Sequence, residues 1–526
     1  MWVLMPSILP HSPRAGQARC ARAAPLLYSA RMNAKPLAVG IDASTQGVKA
    51  LALGPDGPEA LAAVNFAKDL PRFDAPEGFV PDADPAVRRA PPAMWEEGVR
   101  LALERLGKEI DLARAGCLSG SAQQHGLVLS DARGEPVAPL APIWMDRSTG
   151  PECAALEARF GAALRERTGS AAAERFTGPQ AAKAAREDPA AWVRAERAHC
   201  IASWLNSRLV EGGDAPVDPG SASGQNLMDL ASREWIPEVA EATAPGLAAK
   251  LPRIVPSDAV SGALAPAFAV GGLRAGIPVV VWSGDNPDSL LGMGCAAPGE
   301  AVASLGTSDT FFAAMDAPRT DPDGFGNVFC TSAGGFMSLS CFTNGALARD
   351  RVRREAGLDW AAFDAAPFGT APWDGRRLML PWFSPESVPR VARAGARYGF
   401  DPAAASPAQL VRALLEGQAM AMKAHSAWIG SSFRRIGVTG GGAKSAGFLR
   451  ILADVFQAPV ERLEGTETVA LGAAMRAWSH LSGEPLAALA ARLCRPASRV
   501  EPDPAAAPVY AEALAARAAF EAAQIG

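Results

Sequence analysis

Asp285 has the sharpest chemical setting in the chain. It stands in Gly284-Asp285-Asn286-Pro287, directly after an apolar run at 277–282. Asn286 has the side chain of a helix N-cap and Pro287 suits the first helical position, which puts Asp285 just outside a helix, at the C-terminal end of a strand. Ligands of α/β sheets bind at such ends. A carboxylate there can take a proton from an attacking hydroxyl, or it can simply share the capping role.

Three turns have the composition of phosphate-contacting loops. The first is Asp42-Ala43-Ser44-Thr45-Gln46, where small residues let backbone N–H groups approach a phosphate and Thr45 adds a hydroxyl. Asp42 can hold Mg²⁺ through water, because that ion keeps much of its hydration shell, and Lys49 adds positive charge. An ordinary Ser/Thr-rich hairpin turn has the same composition. The second, Leu305-Gly306-Thr307-Ser308, pairs a glycine for close approach with hydroxyl donors, and the same ordinary alternative stands. The third, Thr439-Gly440-Gly441-Gly442-Ala443-Lys444-Ser445, sets a glycine run at a strand-to-helix junction, where helix N-terminal N–H groups are exposed. Its spacing is neither G-x-x-x-x-G-K-[ST] nor G-x-G-x-x-G. A flat glycine surface also suits an adenine or a ribose.

His125 is one of five histidines and lies in Gln123-Gln124-His125, between Gly120 and Gly126. Polar clusters of this kind hydrogen-bond polyols and sugars; a satisfied structural histidine is the alternative. Arg175, in Glu174-Arg175-Phe176-Thr177-Gly178, suits hydroxyls, phosphate or a surface ion pair. Trp144-Met145-Asp146-Arg147 is open in the same way, its tryptophan belonging either to a site or to a core.

Strands alternating with helices are what would hold these residues. Residues 37–42 and 48–53 read as a hairpin around the 43–47 turn, and Gly54-Pro55-Asp56-Gly57 as the next turn. Residues 94–106 carry helical apolar periodicity. Residues 115–120 form a small-residue strand end, and Ala-rich amphipathic stretches dominate 151–250. A second unit is predicted to begin near 278, with strand 277–282, a helix starting at 288–293, strand 301–305 and return strand 311–313. Strand 436–439 enters the glycine turn, and helices follow at 449–456 and 468–478. The strand-turn-strand near 305 echoes the one near 42, which suggests two similar halves with a cleft between them. The predicted class is α/β. The predicted divisions are a leader at 1–35, a first domain at 36–277, a second at 278–482 and a peripheral helical tail at 483–526.

Composition narrows the function classes. The 526 residues are 49% hydrophobic and 20% charged, with net charge −4, so a strongly basic nucleic-acid binder is excluded as the default. No run approaches the roughly 18 apolar residues of a membrane span. The eight cysteines form no C-x-x-C pair and no zinc spacing, and they read as reduced, mostly buried thiols of a cytoplasmic protein. Residues 1–31 contain Arg14, Arg19, Arg22 and Arg31 but no acid, the first acid being Asp42. That pattern fits either an organellar transit peptide or upstream translation before Met32.

Taken in this order, the segments resemble the FGGY carbohydrate kinases. The resemblance covers 36–481 and rests on Asp42-Ala43-Ser44-Thr45-Gln46, Ser283-Gly284-Asp285-Asn286, Ser304-Leu305-Gly306-Thr307-Ser308, Thr439-Gly440-Gly441 and Ala470-Leu471-Gly472-Ala473-Ala474. Segments 119–126, 144–146, 174–178, 416–420 and 452–456 are similar to the D-xylulose-phosphorylating branch of animals and plants.

The resemblance implies a two-domain ribonuclease H-like fold of the hexokinase/actin-like ATPase class with a cleft between the domains. It further implies sugar and phosphate contacts on the first domain and nucleotide on the second. The implied activity is ATP-dependent phosphorylation of the terminal hydroxyl of D-xylulose, with ATP and Mg²⁺ as cofactors. In that reading Asp285 is the base, and His125, Arg175, Asp285 and Asn286 contact the sugar. Asp42 helps place the metal, and Thr45, Gly306 and Thr307 face the phosphates. Gly441, Gly442, Ser445 and Trp360 line the nucleotide site. Ser445 departs from the Asn common at its position in similar enzymes. The partners are a small sugar and ATP, with no nucleic acid or membrane and a homodimer left open. The alternatives are a kinase for ribulose, gluconate or glycerol, and an actin-like ATPase or non-catalytic sugar-binding regulator.

Overall fold

The computed structural model describes residues 35–525 apart from 431, 464 and 466; the expectations for the leader lie outside the described residues. The first sheet opens with β1 (Leu37–Ala43), buried along its whole length, and folds back through β2 (Gly47–Gly54) and β3 (Gly57–Asn65), each antiparallel to its predecessor. α1 (Pro92–Glu109) packs over β2 and β3 with Met94, Trp95, Val99, Leu103 and Leu106 buried at helical spacing. It returns the chain to β4 (Ala115–Ala122), parallel to β1. α2 (Thr177–Glu187) comes next. β5 (Val260–Ala263), β6 (Pro278–Val280) and β7 (Ser283–Gly284) complete the sheet, whose order is β5-β6-β4-β1-β2-β3 with β7 also on β4. α3 (Asp285–Gly292) leaves directly from β7.

The division expected at 277/278 therefore cuts this first sheet. Val279 pairs with Leu118, and Gly284 with Ala122. Gly271, Gly272 and Gly276 make the preceding stretch look like a linker, but pairing across some 160 residues assigns β6 and β7 to the first half.

The second sheet repeats the plan. β8 (Glu300–Leu305) and β9 (Asp309–Met315) form the hairpin, and β10 (Asn327–Cys330) and β11 (Phe336–Phe342) extend it. After α4 (Ala346–Glu355) and α5 (Pro407–Ala424), β12 (Arg435–Thr439) lies parallel to β8. α6 (Ala446–Phe456) leads to β13 (Val460–Leu463), and α7 (Thr468–Ser482) leads to β14 (Pro496–Val500) and α8 (Ala506–Ile525). The order is β10-β11-β9-β8-β12-β13-β14. Both sheets share one motif: a hairpin, a third antiparallel strand on its outer side, and a parallel strand on its inner side. The echo between residues 42 and 305 is thus a repeated architecture.

Two elements depart from their expected places. α7 follows a strand of the second sheet but lies across β1 and β4 of the first and against α3. Its small residues allow that approach: a Cβ on Gly40 would stand 2.2 Å from Ala470 O and 2.3 Å from Ala474 N, and one on Gly472 would stand 2.1 Å from Asp288 O. The tail is not peripheral, since on α8 Tyr510, Ala513 and Arg517 are buried. The Tyr510 hydroxyl donates to Glu416 Oε1 at 2.8 Å and accepts from Arg412 Nη2 at 3.1 Å.

Among the described residues the cysteines are free thiols, most of them buried, and no helix is long and apolar enough to cross a membrane. Because backbone atoms of α7 have no room to retreat from β1, Gly40→Val is expected to cost about 3 kcal/mol or more of stability. Thermal and urea denaturation of the full chain check this, and a melting temperature within about a degree of wild type would contradict the packing described here.

Candidate active site

The sheet register brings the first carboxylates together. Ala43 pairs with Ala122 and Gly284 pairs with Ala122, so the ends of β1, β4 and β7 lie side by side. Asp42 stands one residue before that line and Asp285 one residue after it. Burial pushes the Asp42 carboxyl up to about 7; the nearby Asp285 charge adds to this and Lys49 opposes it. Its Oδ1 is buried without a hydrogen-bond partner, and Lys49 is itself paired to Glu467 at 2.5 Å.

Asp285 differs from its expected place. Gly284 takes the N-cap position and Asp285 is the first residue of α3, with Asn286 and Pro287 following. The expected capping by Asn286 is replaced by another use. Asn286 donates its backbone N–H to Asp285 Oδ1 at 2.8 Å, and its amide Nδ2 donates to the same oxygen at 3.0 Å and to Gln124 Oε1 at 2.9 Å. Burial raises Asp285 to about 6, while these hydrogen bonds hold it down. The sheet edge, Gln124 and Asn286 therefore fix a half-buried carboxylate that is ionised above about pH 6.

His125 and Arg175 join this group. His125 adopts φ 73° beside Gly126 at φ 75°, which turns the ring back under the loop. Its Nδ1 lies 2.6 Å from Gly224 O. A carbonyl only accepts, so Nδ1 carries the hydrogen and Nε2 keeps its lone pair. Burial and then the Arg175 charge push the imidazole down to about 3. Phe176 packs edge-on at 4.7 Å, and Arg175 Nε is buried without a partner. Arg175, Glu174 and Trp144 line a cavity of about 700 Å³ whose other wall carries Ser308, Thr343 and Glu386. The cavity thus joins the two halves, with Trp144 Nε1 donating to Thr45 Oγ1 at 2.9 Å at the first turn.

On the second sheet the turns after β8 and β12 are neighbours, because Ser304 pairs with Thr439. Thr307 and Ser308 are exposed. Gly306 O accepts from Ala346 N at 2.8 Å and from Arg349 Nη2 at 3.3 Å. A fully buried pair, Arg349 Nη1 to Asp309 Oδ2 at 2.7 Å and Nη2 to Oδ1 at 2.9 Å, locks that turn to α4. In the glycine turn, Gly440 has φ 83°, and a Cβ on Gly442 would stand 2.7 Å from Leu305 Cβ. Gly441 is different: a Cβ there would meet nothing within 4 Å, so its bareness serves an open face and not packing.

Ser445 does not present a free hydroxyl to that face. It caps α6, accepting from Phe448 N at 3.2 Å and donating to Asp364 Oδ1 at 2.5 Å. Asp364 lies on the short helix Trp360–Ala365, so this bond sets Trp360, about half exposed, beside the glycine turn.

The predicted residues thus gather into a carboxylate group (Asp42, Asp285, Asn286, His125, Arg175) and a turn group (Gly306, Thr307, Gly441, Gly442, Ser445, Trp360), with Thr45 at the first turn. Sequence reading missed Asp309, Arg349, Asn344, Glu386 and Gln418, which hold the turn from behind. None carries a local motif. Among the described residues no three His, Cys, Asp or Glu side chains cluster as a metal site.

The sequence matches the FGGY family of carbohydrate kinases, its N-terminal domain over 37–292 and its C-terminal domain over 301–480. It is 34% identical over 521 residues to a xylulose kinase of Mus musculus, covering 92% of this chain and 93% of that protein. The fold superposes on a crystal structure of a xyloylose kinase from Brucella ovis with TM-score 0.81 and 26% identity, covering 93% of this chain and 99% of the other. A gluconate kinase from Lactobacillus acidophilus shares the fold at TM-score 0.83 with 16% identity, covering 93% and 98%.

The geometry fixes the state of His125. Its imidazole is expected to remain the neutral Nδ1–H tautomer from about pH 5 to pH 9, well above its depressed pKa. Ring-nitrogen NMR shifts check this, and titration near 6.5 would contradict the burial and the Gly224 bond.

Proposed function

The chain belongs to the FGGY family of carbohydrate kinases, and from that premise we propose that it transfers the γ-phosphoryl group of ATP to the terminal hydroxyl of D-xylulose, giving D-xylulose 5-phosphate. The observation that carries the chemistry is Asp285, a half-buried carboxylate at a sheet edge, held through Oδ1 by Asn286.

In this reading the sugar lies against Asp285, Asn286, His125 and Arg175. His125 Nε2, its lone pair free because Nδ1 donates to Gly224, accepts from a sugar hydroxyl. Arg175 donates to another, or to the phosphate being transferred. Asp285 takes the proton from the attacking hydroxyl as the bond to phosphorus forms. The N–H groups of Gly306 and Thr307, with the Thr45 hydroxyl, face the nucleotide's phosphates, which the Arg349–Asp309 lock keeps in place before the substrate arrives. Gly441 offers its open backbone to adenosine, with Gly442 and Trp360 beside it. Ser445 acts by positioning, since its hydroxyl is engaged at both ends.

The orphaned, buried Asp42 Oδ1 fits a hydrated Mg²⁺, which the carboxylate would hold through water. When bound with nucleotide, the ion would supply neutralisation of phosphate charge.

Two outcomes test the role of Asp285. Asp285→Asn keeps the shape and loses the base, so kcat is expected to fall about 10³-fold while the Kd for MgATP stays within about two-fold. Wild-type turnover in a folded Asp285→Asn protein would sink the assignment. In the wild type, the folded carboxyl binds its proton more tightly than a free aspartate, so the active, ionised form is lost as pH falls through about 6. kcat/KM for the sugar should therefore rise with pH across that value and level off above about 7. A flat profile from pH 5 to 7 would exclude Asp285 as the base.

A further inference from the structure

α8 carries an arginine that neither the fold nor the proposed reaction explains. Arg517 is 1% exposed. Its Nη2 lies 2.7 Å from Glu521 Oε2, one turn further along the same helix, yet Nε, Nη1 and Nη2 are all buried and none is aligned for a hydrogen bond. An ion pair within one helix does not require the helix to be inserted into the core. Burial works against the guanidinium's charge, and Glu521 and then Glu386 support it. Glu386, 131 positions earlier in the chain, is the long-range charge of the two.

Arg517 also lines a small cavity of about 20 Å³, room for about one water molecule, together with Asp309, Asn344, Glu386 and Gln418. These are the residues behind the Gly306 turn. Glu386 Oε1 accepts from Thr343 N at 2.6 Å and from Ser387 N at 2.8 Å, and Oε2 accepts from Asn344 Nδ2 at 2.9 Å. Gln418 donates to Asn344 O at 2.7 Å and accepts from Arg349 Nη1 at 3.0 Å. The loop so held ends at Gly345, where an added Cβ would stand 2.8 Å from Gly306 O and 2.8 Å from Thr307 O. The path runs from Arg517 across this cavity to Glu386, from Glu386 by hydrogen bonds to the 343–345 loop, and from that loop to the backbone of Gly306 and Thr307.

We propose that Arg517 is a positioning residue for nucleotide binding: its charge holds Glu386 in orientation, and Glu386 presses the 343–345 loop against the Gly306–Thr307 turn. The C-terminal helix is thereby part of the nucleotide machinery without touching the nucleotide. The inference rests on the reading of that turn as a phosphate contact. A misplaced Glu386 would release the N–H groups of Thr343 and Asn344 and loosen the turn, which weakens MgATP.

The test uses the full chain and measures MgATP binding by calorimetry without sugar, followed by KM for each substrate. Arg517→Met, which keeps the volume and removes the charge, is expected to raise the Kd for MgATP about ten-fold, with KM for the sugar at saturating ATP changed less than about two-fold. Arg517→Lys should restore most of the affinity, and Glu386→Gln should reproduce the loss. The double variant Arg517→Met/Glu386→Gln should be no worse than either single, because both act through one contact. Unchanged ATP affinity in Arg517→Met, equal rises in both KM values, or multiplying losses in the double variant would overturn the proposal. If Arg517→Met does not fold, Arg517→Lys and Glu386→Gln still decide: wild-type Kd in Glu386→Gln overturns it, and a raised Kd in both supports it. Failure of the wild-type chain to bind MgATP would overturn the reading of the Gly306 turn itself, a result distinct from tight binding that ignores Arg517.

Discussion

Two carboxylates at the edge of one sheet, Asp42 buried and Asp285 half-buried, set the terms for the rest of this molecule. Asp42 and Asp285 are both raised above the ordinary carboxylate range, by burial first, and the Asp285 charge adds to the cost of ionising Asp42. A fold tolerates this only where the surrounding backbone cannot relax around them. α7 supplies that rigidity, its small residues letting it lie on β1 and α3 at distances that leave no room for a Cβ. Arg476, also on α7, pairs with Asp288 at 3.2 Å and donates to Ser257 O at 2.8 Å, which opposes the burial that raises this third acid to about 6.

The second sheet solves a complementary problem. Its turns offer backbone N–H groups and hydroxyls, and such groups bind anions well only when they are held still. The buried Asp309–Arg349 pair, Gln418, Asn344 and Glu386 do this from behind. A repeated strand plan therefore presents carboxylates from one half and immobilised donors from the other, with the cavity from Arg175 to Ser308 between them. That division matches a transfer reaction in which one side handles a proton and the other handles negative charge.

Local features were legible in the sequence and long-range ones were not. The hairpin around Asp42, the turn at Gly306, the glycine turn and the helix after Ser445 all announce themselves through apolar runs broken by small polar residues, and they stand where expected. Asp285 was found, but its cap was misplaced, because Asn286 and Pro287 have N-cap and first-turn preferences that the Gln124 and Asp285 hydrogen bonds override. The 277/278 division failed for a similar reason: β6 and β7 are short, and only β4, far away in sequence, says which sheet they join. Arg349, Glu386 and Arg517 look like ordinary charges on amphipathic or loop segments. Their roles exist only after folding brings residues 306, 344, 386 and 517 together. The family resemblance supplied the reaction class, and the structure supplies the reason these particular side chains can perform it.

The central claim is that this chain couples ATP cleavage to a sugar hydroxyl and that the sugar is D-xylulose. The direct measurement is ADP release with MgATP in the presence of D-xylulose, D-ribulose, L-ribulose, glycerol or no acceptor. The account predicts ADP release that depends on an acceptor, with kcat/KM highest for D-xylulose. Equal release without any acceptor would contradict the kinase assignment, and a higher kcat/KM for another acceptor would contradict D-xylulose as the substrate.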